Sequence, residues 1–199
     1  MREWSKTMKR SKKAALVLMV PATTLMLAGC GEDREQSAVV FSSPTECAQS
    51  LVVSAEQCES DYTAAQALHP QVAPKYLNKQ ECEADFGAGQ CETAPYQTTS
   101  GGSVFMPMMM GFLAGQLMGG ANAQNLQARN QRAIPSQPLY KSRDDRSTFR
   151  TATNQPVSKG IGPITLRPSQ VQPKVGQVVR RGGFGQQAAM RAPATGFGG

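Results

Sequence analysis

The sequence predicts a small, mainly α-helical domain stapled by disulfides, then a glycine- and methionine-rich apolar helix, then a largely disordered basic tail. Three observations carry this reading. Cys47, Cys58, Cys82 and Cys91 lie in two similar stretches with helix-start signals. Gly111, Gly115 and Gly119 recur at every fourth position of an uncharged run. The last part of the chain is rich in glycine and glutamine and is broken repeatedly by proline. The expected organisation is a leader over 1–29, an acidic linker over 30–41, a four-cysteine helical domain over 42–95, an apolar helix over 101–123 and the tail over 124–199.

The leader comes first. Arg2, Lys6, Lys9, Arg10, Lys12 and Lys13 stand against Glu3, and Ala14 to Ala28 carry no charge. A basic start, a short apolar run and small residues mark a secretory signal. The apolar run is shorter than the roughly 20 residues of a bilayer-spanning helix, and Pro21, Thr23 and Thr24 weaken it further as a permanent span. Leu27-Ala28-Gly29-Cys30 resembles the lipobox of bacterial lipoproteins. That resemblance implies cleavage before Cys30 and acylation of its thiol and new amine, hence a membrane-lipid partner. Two lipid signals already give stable anchoring. Gly31 follows the cysteine, and the family rule then favours the outer membrane over the inner.

Removal of the leader changes the charge argument. The formal net charge of +7 would suit a nucleic-acid binder, but six of the basic residues named above leave with the leader. The remainder is divided: acids dominate from Gly31 to Glu92, whereas from Ala121 onward Asp144 and Asp145 face an excess of Lys and Arg. An exported chain meets little nucleic acid, so that partner is not expected.

An even set of cysteines in an exported chain reads first as disulfides. "SPTECAQSLVVSAEQCE" and "NKQECEADFGAGQCE" share Glu-Cys at the head and Gln-Cys-Glu at the tail. Ser43 with Glu46, and Asn78 with Glu81, have the spacing of capping boxes, and Pro44 suits a first helical position. The simplest pairing is within each stretch, although four cysteines allow three pairings. Each local link would contribute roughly 2–3 kcal/mol in the chain-entropy model. A domain this small often needs such staples.

Between the two stretches, Ser54 to His69 reads as a helix with Cys58, Tyr62, Ala65 and Leu68 on one face, ended by Pro70 and Pro74. The expected core is Leu51, Val52, Val53, Tyr62, Leu68, Tyr76, Leu77 and Phe86. A metal site is disfavoured, because zinc ligands cluster more tightly than these cysteines. His69 reads as a helix-end residue complementing the dipole.

"VFMPMMMGFLAGQLMGGA", from Val104 to Ala121, follows. On a helix, Gly111, Gly115 and Gly119 form one smooth stripe for close backbone packing. Methionines cover the other faces and fit irregular partners. Three settings stay open for this helix: insertion in or along the membrane, self-association through the glycine face, and docking on the cysteine domain. The tail has the composition of a chain unable to bury enough apolar surface to order itself. "RRGGFGQQ" and "TGFGG" resemble RGG-type tracts; two readings stay open, a soluble tail that is merely flexible and, in an envelope, a tail that meets an anionic lipid or polymer.

The lipobox, the four cysteines with "PKY" and "FGAGQC", "FMPMMMGFLAGQLMGG" and "RRGGFG" occur in this order. Together they resemble the YgiB-like family of bacterial proteins, over nearly the full length. That family has no established activity, so the resemblance implies neither catalytic residues nor a cofactor. A Ser-His-Asp set around the single His would need special pleading, since no motif marks one, and "GIG" is too short for a nucleotide fingerprint. The expected function is a non-enzymatic structural or interaction lipoprotein of the envelope. The rival is a thiol-disulfide redox factor acting through Cys82 and Cys91.

Overall fold

A computed structural model describes Asp33, residues 35–115 and residues 134–191. The leader, Cys30, Gly119 and the rest of the expected apolar helix beyond Gly115 lie outside those residues. The described part is mixed α and β, not mainly α. Its elements are β1 (Gln36–Phe41), α1 (Pro44–Gln49), α2 (Ala55–Val72), α3 (Lys79–Phe86), β2 (Cys91–Gln97), β3 (Ser103–Pro107), β4 (Gly111–Gly115), β5 (Gln137–Leu139), β6 (Phe149–Arg150), β7 (Pro156–Ser158), β8 (Gly162–Leu166), a 3-10 turn (Pro168–Gln170) and α4 (Gln186–Arg191).

The helix starts follow the local chemistry of the sequence. The Ser43, Ser54 and Asn78 side chains accept from the amides of Glu46, Gln57 and Gln80, which satisfies donors that a helix start otherwise leaves open. Glu46 reaches back to the amide and hydroxyl of Ser42. α2 runs one turn further than expected: Pro70 lies inside it and Val72 ends it.

The centre of the fold is a four-stranded antiparallel sheet in the order β5-β4-β1-β8. Residues 36–41, assigned from sequence to a linker, form one of its two inner strands. β1 and β4 pair from Ala38↔Gly115 to Phe41↔Phe112, and both are buried almost throughout. One face packs Val39, Phe41, Phe112 and Ala114 on Cys47, Cys58 and Ala65 of α1 and α2. The other packs Ala38, Val40 and Leu113 on Leu139, Phe149 and Val171. A strand covered on both faces shows a continuous apolar run instead of alternation. For this reason "GFLAG" is mistaken for part of an apolar helix.

The glycine stripe is corrected in the same way. Gly111 and Gly115 lie on β4, so they pack no helix. A spacing of four puts residues on one face of a strand as well as of a helix. A Cβ on Gly111 would stand 2.6 Å from the Phe41 carbonyl oxygen and 2.8 Å from the Phe149 ring. A Cβ on Gly115 would strike the Ile134 carbonyl oxygen. Close approach is needed, as the stripe implied, but to the Phe41 and Ile134 carbonyls and the Phe149 ring. Among the described residues no helix is long and apolar enough to cross a membrane.

The tail expected to be disordered is folded over residues 134–191. Two of its prolines fall on edge strands of the central sheet, Pro138 on β5 and Pro163 on β8, where a missing N–H is tolerated. Residues 176–179 run alongside the end of α2. Gly176 N–H donates to Gln71 O, Lys75 N–H to Gln177 O, and Val179 N–H to Lys75 O. A second core joins α3, the β2–β3 hairpin and this returning segment through Tyr76, Phe86, Met106, Tyr140 and Phe184. Of the expected core, Tyr76 and Phe86 are buried, but Leu51 is 90% exposed, and Val52 and Leu77 also face solvent.

Candidate functional site

The two disulfides join Cys47 to Cys58 and Cys82 to Cys91, the pairing within each stretch. All four cysteines are buried. The first link ties α1 to α2 beneath the central sheet. The second closes the turn between α3 and β2 and thereby holds Phe86, at the end of α3, near Gln90, the residue before β2. Gly87 makes that turn with φ +108°, a conformation that only glycine adopts at low cost.

This turn forms one wall of a cleft of about 180 Å³. Phe86, Gln90, Met108 and Met110 line it together with Lys141 and Arg146, and Ser142 completes the rim. Met108 and Met110 lie in the connection between β3 and β4. Their amides are pinned by the carbonyls of Gln90 and Leu139, each at 2.9 Å. Alternation in an extended segment puts both on the cleft side, while Met109 packs into the sheet core. Met108 and Met110 remain 41% and 38% exposed, a large apolar surface left open to solvent.

The cationic rim is set by residues 141–146, "KSRDDR", after β5. Lys141 Nζ stands 4.0 Å from the centroid of the Phe149 ring, a cation–π contact. The Arg146 guanidinium lies against Gly87, where an added Cβ would come within 2.7 Å of Nη2. The two acids of this loop are engaged elsewhere. Asp144 accepts from the Ser142 hydroxyl and the amides of Gln186 and Gln187. Burial works against its charge, yet those hydrogen bonds hold its carboxyl below the usual range. Asp145 accepts from the Ser147 hydroxyl and the amides of Ser147 and Thr148, and faces Arg150. The hydrogen bonds from Ser147 and Thr148 hold its carboxyl low as well. Among the described residues no carboxylate pairs with Lys141 or Arg146.

Behind the cleft, Asp85 organises the "RRGGFG" motif. Its Oδ1 accepts from the Gly182 amide at 2.6 Å. Its Oδ2 accepts from the amides of Gly183 and Phe184 and from the Tyr76 hydroxyl at 2.9 Å. Burial, then the Asp85 charge, push the Tyr76 phenol well above its ordinary range, so it stays a donor. Three successive amides around one carboxylate form an anion nest. Gly182 and Gly185 have positive φ, and a side chain on Gly183 would collide with the Arg180 carbonyl. Phe184 then inserts beside Phe86, with ring centroids 4.7 Å apart, and against Tyr140. The Asp85 carbonyl also accepts the Arg143 amide at 2.7 Å. One residue of α3 therefore fixes both the cationic loop and the glycine motif.

His69 is buried at the end of α2, with Nε2 3.0 Å from Glu92 and Nδ1 2.8 Å from the Tyr140 hydroxyl. Glu92 can only accept, so Nε2 carries the proton and Nδ1 accepts from Tyr140. Burial lowers the pKa of His69, opposed by the hydrogen bond and charge of Glu92. Both nitrogens are committed, which leaves none to activate a nucleophile. Among the described residues no group of three or more His, Cys, Asp or Glu is placed to hold a metal.

The structure thus buries Cys82 and Cys91 behind the turn that walls the cleft, sets Cys47, Cys58, Gly111 and Gly115 in or beside the sheet core, and leaves Cys30 and Gly119 outside the described residues. Sequence reasoning singled out "FGAGQC", "RRGGFG" and the methionines, each for another purpose. It missed Lys141 and Arg146 as a pair, for which the only signal is their place in a loop whose acids have local donors.

A family model described as "Protein of unknown function (DUF1190)" matches residues 35–194. A UPF0441 protein of Serratia proteamaculans (strain 568) is 29% identical over 197 residues, covering 90% of this chain and 84% of its own. UPF0441 proteins of two Klebsiella pneumoniae strains, 342 and ATCC 700721 / MGH 78578, are each 31% identical over 186 residues, covering 88% of this chain and 82% of their own. No solved structure matches.

Proposed function

The chain belongs to the DUF1190 family, and from that premise we propose that it is an exported, lipid-anchored binding protein of the cell envelope. The observation that carries this reading is the pair of fully formed, buried disulfides. Such links form and persist in oxidising compartments and are rare in the cytosol. Cys30 supplies the anchor, and the cleft beside Phe86 supplies the recognition site. By the Gly31 rule the domain hangs from the outer membrane and faces the periplasm.

The burial of Cys82 and Cys91 supports a structural role over thiol exchange, because an attacking thiolate must reach a sulfur. The protein holds its fold with the links and works by binding.

The test is fractionation of the envelope, followed by intact mass measurement of the whole protein. A product beginning at an acylated Cys30 is the expected result. An unmodified first methionine in a cytosolic product refutes both export and anchoring. Alkylation of the native protein under mild reductant addresses the redox rival: the structural reading expects no labelled thiol, and rapid labelling of Cys82 or Cys91 would overturn it.

A further inference from the structure

We propose that the cleft between Phe86, Met108 and Met110 binds a single-chain lipid with a phosphate headgroup, the chain lying on the methionines and the phosphate held between Lys141 and Arg146. The inference rests on reading this cleft as the recognition site, and not on the lipid anchor.

The apolar part of the argument is the floor. Two methionines project from a backbone that is hydrogen-bonded at both positions, and Phe86 is fixed by the adjacent disulfide and by Phe184. Methionine adapts to irregular or flexible apolar surfaces, which suits an alkyl chain better than a rigid ring. A volume of about 180 Å³ equals roughly six water-sized volumes at about 30 Å³ each. The cleft therefore takes the first several carbons next to a headgroup and leaves the rest of the chain at its mouth.

The polar part is the charge. Lys141 and Arg146 contribute two positive charges to the lining, and the lining holds no acid. Asp144 and Asp145, which would neutralise them, are turned to backbone amides, hydroxyls and Arg150. A phosphate monoester carries about −1.5 to −2 charge at neutral pH and several acceptor oxygens. It matches two cations more closely than a carboxylate does, and a guanidinium fits its oxygens in pairs. Lys141 is held from behind by the Phe149 ring, so little of its side-chain freedom is lost on binding, and Arg146 is exposed beside the turn at Gly87.

The experiment uses the whole chain with ¹³C-methyl methionine, kept soluble in an uncharged steroidal glycoside, which carries no alkyl chain to compete for the cleft. Substitutions Met108→Leu and Met110→Leu assign the two methyl signals. Octyl phosphate, octanoate, octanol and inorganic phosphate are titrated separately. The expected result is a saturable movement of both methyl signals by octyl phosphate, at a concentration at least tenfold below that needed with any other probe. Lys141→Gln and Arg146→Gln, singly and together, are expected to weaken octyl phosphate about tenfold or more and to leave octanol unchanged. Equal binding of octanol overturns the headgroup, equal binding of inorganic phosphate overturns the chain, and equal binding of octanoate overturns phosphate as the class. Absence of saturable movement overturns the site. If octyl phosphate binds as expected while Cys30 proves unmodified in the cell, the anchoring reading fails and this one stands. The reverse pair of results separates them the other way.

Discussion

Replacing Asp85 by Asn tests the clamp that orders the glycine motif. The carboxylate accepts four hydrogen bonds, from the Gly182, Gly183 and Phe184 amides and the Tyr76 hydroxyl, and the residue is 7% exposed. Asn keeps the shape but offers one oxygen and one amide group. If the oxygen takes the Oδ2 position, the new N–H₂ meets the Gly182 N–H, donor against donor. One charged bond, worth about 1.5–3 kcal/mol, is then lost, and three others fall to neutral strength near 1 kcal/mol. Relief of carboxylate desolvation offsets part of the loss. A net destabilisation of about 2–3 kcal/mol follows. With a urea slope of about 2 kcal/mol per molar, within the usual range, the midpoint drops by about 1–1.5 M. The single tryptophan, Trp4, lies outside the described residues, so near-ultraviolet circular dichroism of the tyrosines is the suitable probe. Trypsin reports the same event locally, by faster cleavage after the exposed Arg180 and Arg181. An unchanged midpoint together with unchanged cleavage would falsify the clamp.

Three further outcomes are expected. Removing the Cys47–Cys58 or Cys82–Cys91 link as a double Cys→Ala variant, each closing a loop of about ten residues, lowers stability by about 3 kcal/mol; equilibrium unfolding measures it, and near-additivity is expected because the links lie in different cores. Gly111→Ala costs about 1–3 kcal/mol by overpacking against the Phe41 carbonyl and the Phe149 ring, whereas a helix-stripe model predicts lost self-association with the fold intact; unfolding and sedimentation together discriminate. His69 has a folded pKa below its unfolded value of about 6.5. The unfolded state therefore binds the extra proton, and stability, full above about pH 6.5, falls as pH drops through the folded value. His69→Gln should flatten that slope between pH 7 and 5 in denaturation curves, and an equal slope in both proteins rules out His69 as its source.

The local devices were legible because they depend on neighbours in the chain. Ser43, Ser54 and Asn78 cap the helices that their sequence context announces, and each cysteine found its partner within the same stretch. The strands were not legible. "AVVF" and "GFLAG" are apolar without alternation because each is covered on both faces, and a short apolar run carries no period that separates a buried strand from a helix. The tail was misread for a related reason. Its composition cannot order a chain alone, but within residues 176–184 Gly176, Gln177, Val179, Gly182, Gly183 and Phe184 bond to α2, α3 and the segment between them, more than 70 positions earlier. The cleft was hidden likewise, since Phe86, Met108 and Lys141 are distant in sequence.

The sequence by itself determined the helix starts, the simplest pairing of the four cysteines, and the need for close approach at Gly111 and Gly115. All of these follow from bonding between near neighbours or from composition. Only the tertiary structure decided that β1 and β4 share a sheet, that Asp85 gathers the "RRGGFG" amides, and that Lys141 and Arg146 line one cleft with Met108 and Met110. The physical reason is that burial on two faces, and the satisfaction of a buried carboxylate by a distant backbone, depend on what the folded chain places alongside, and no local pattern records that.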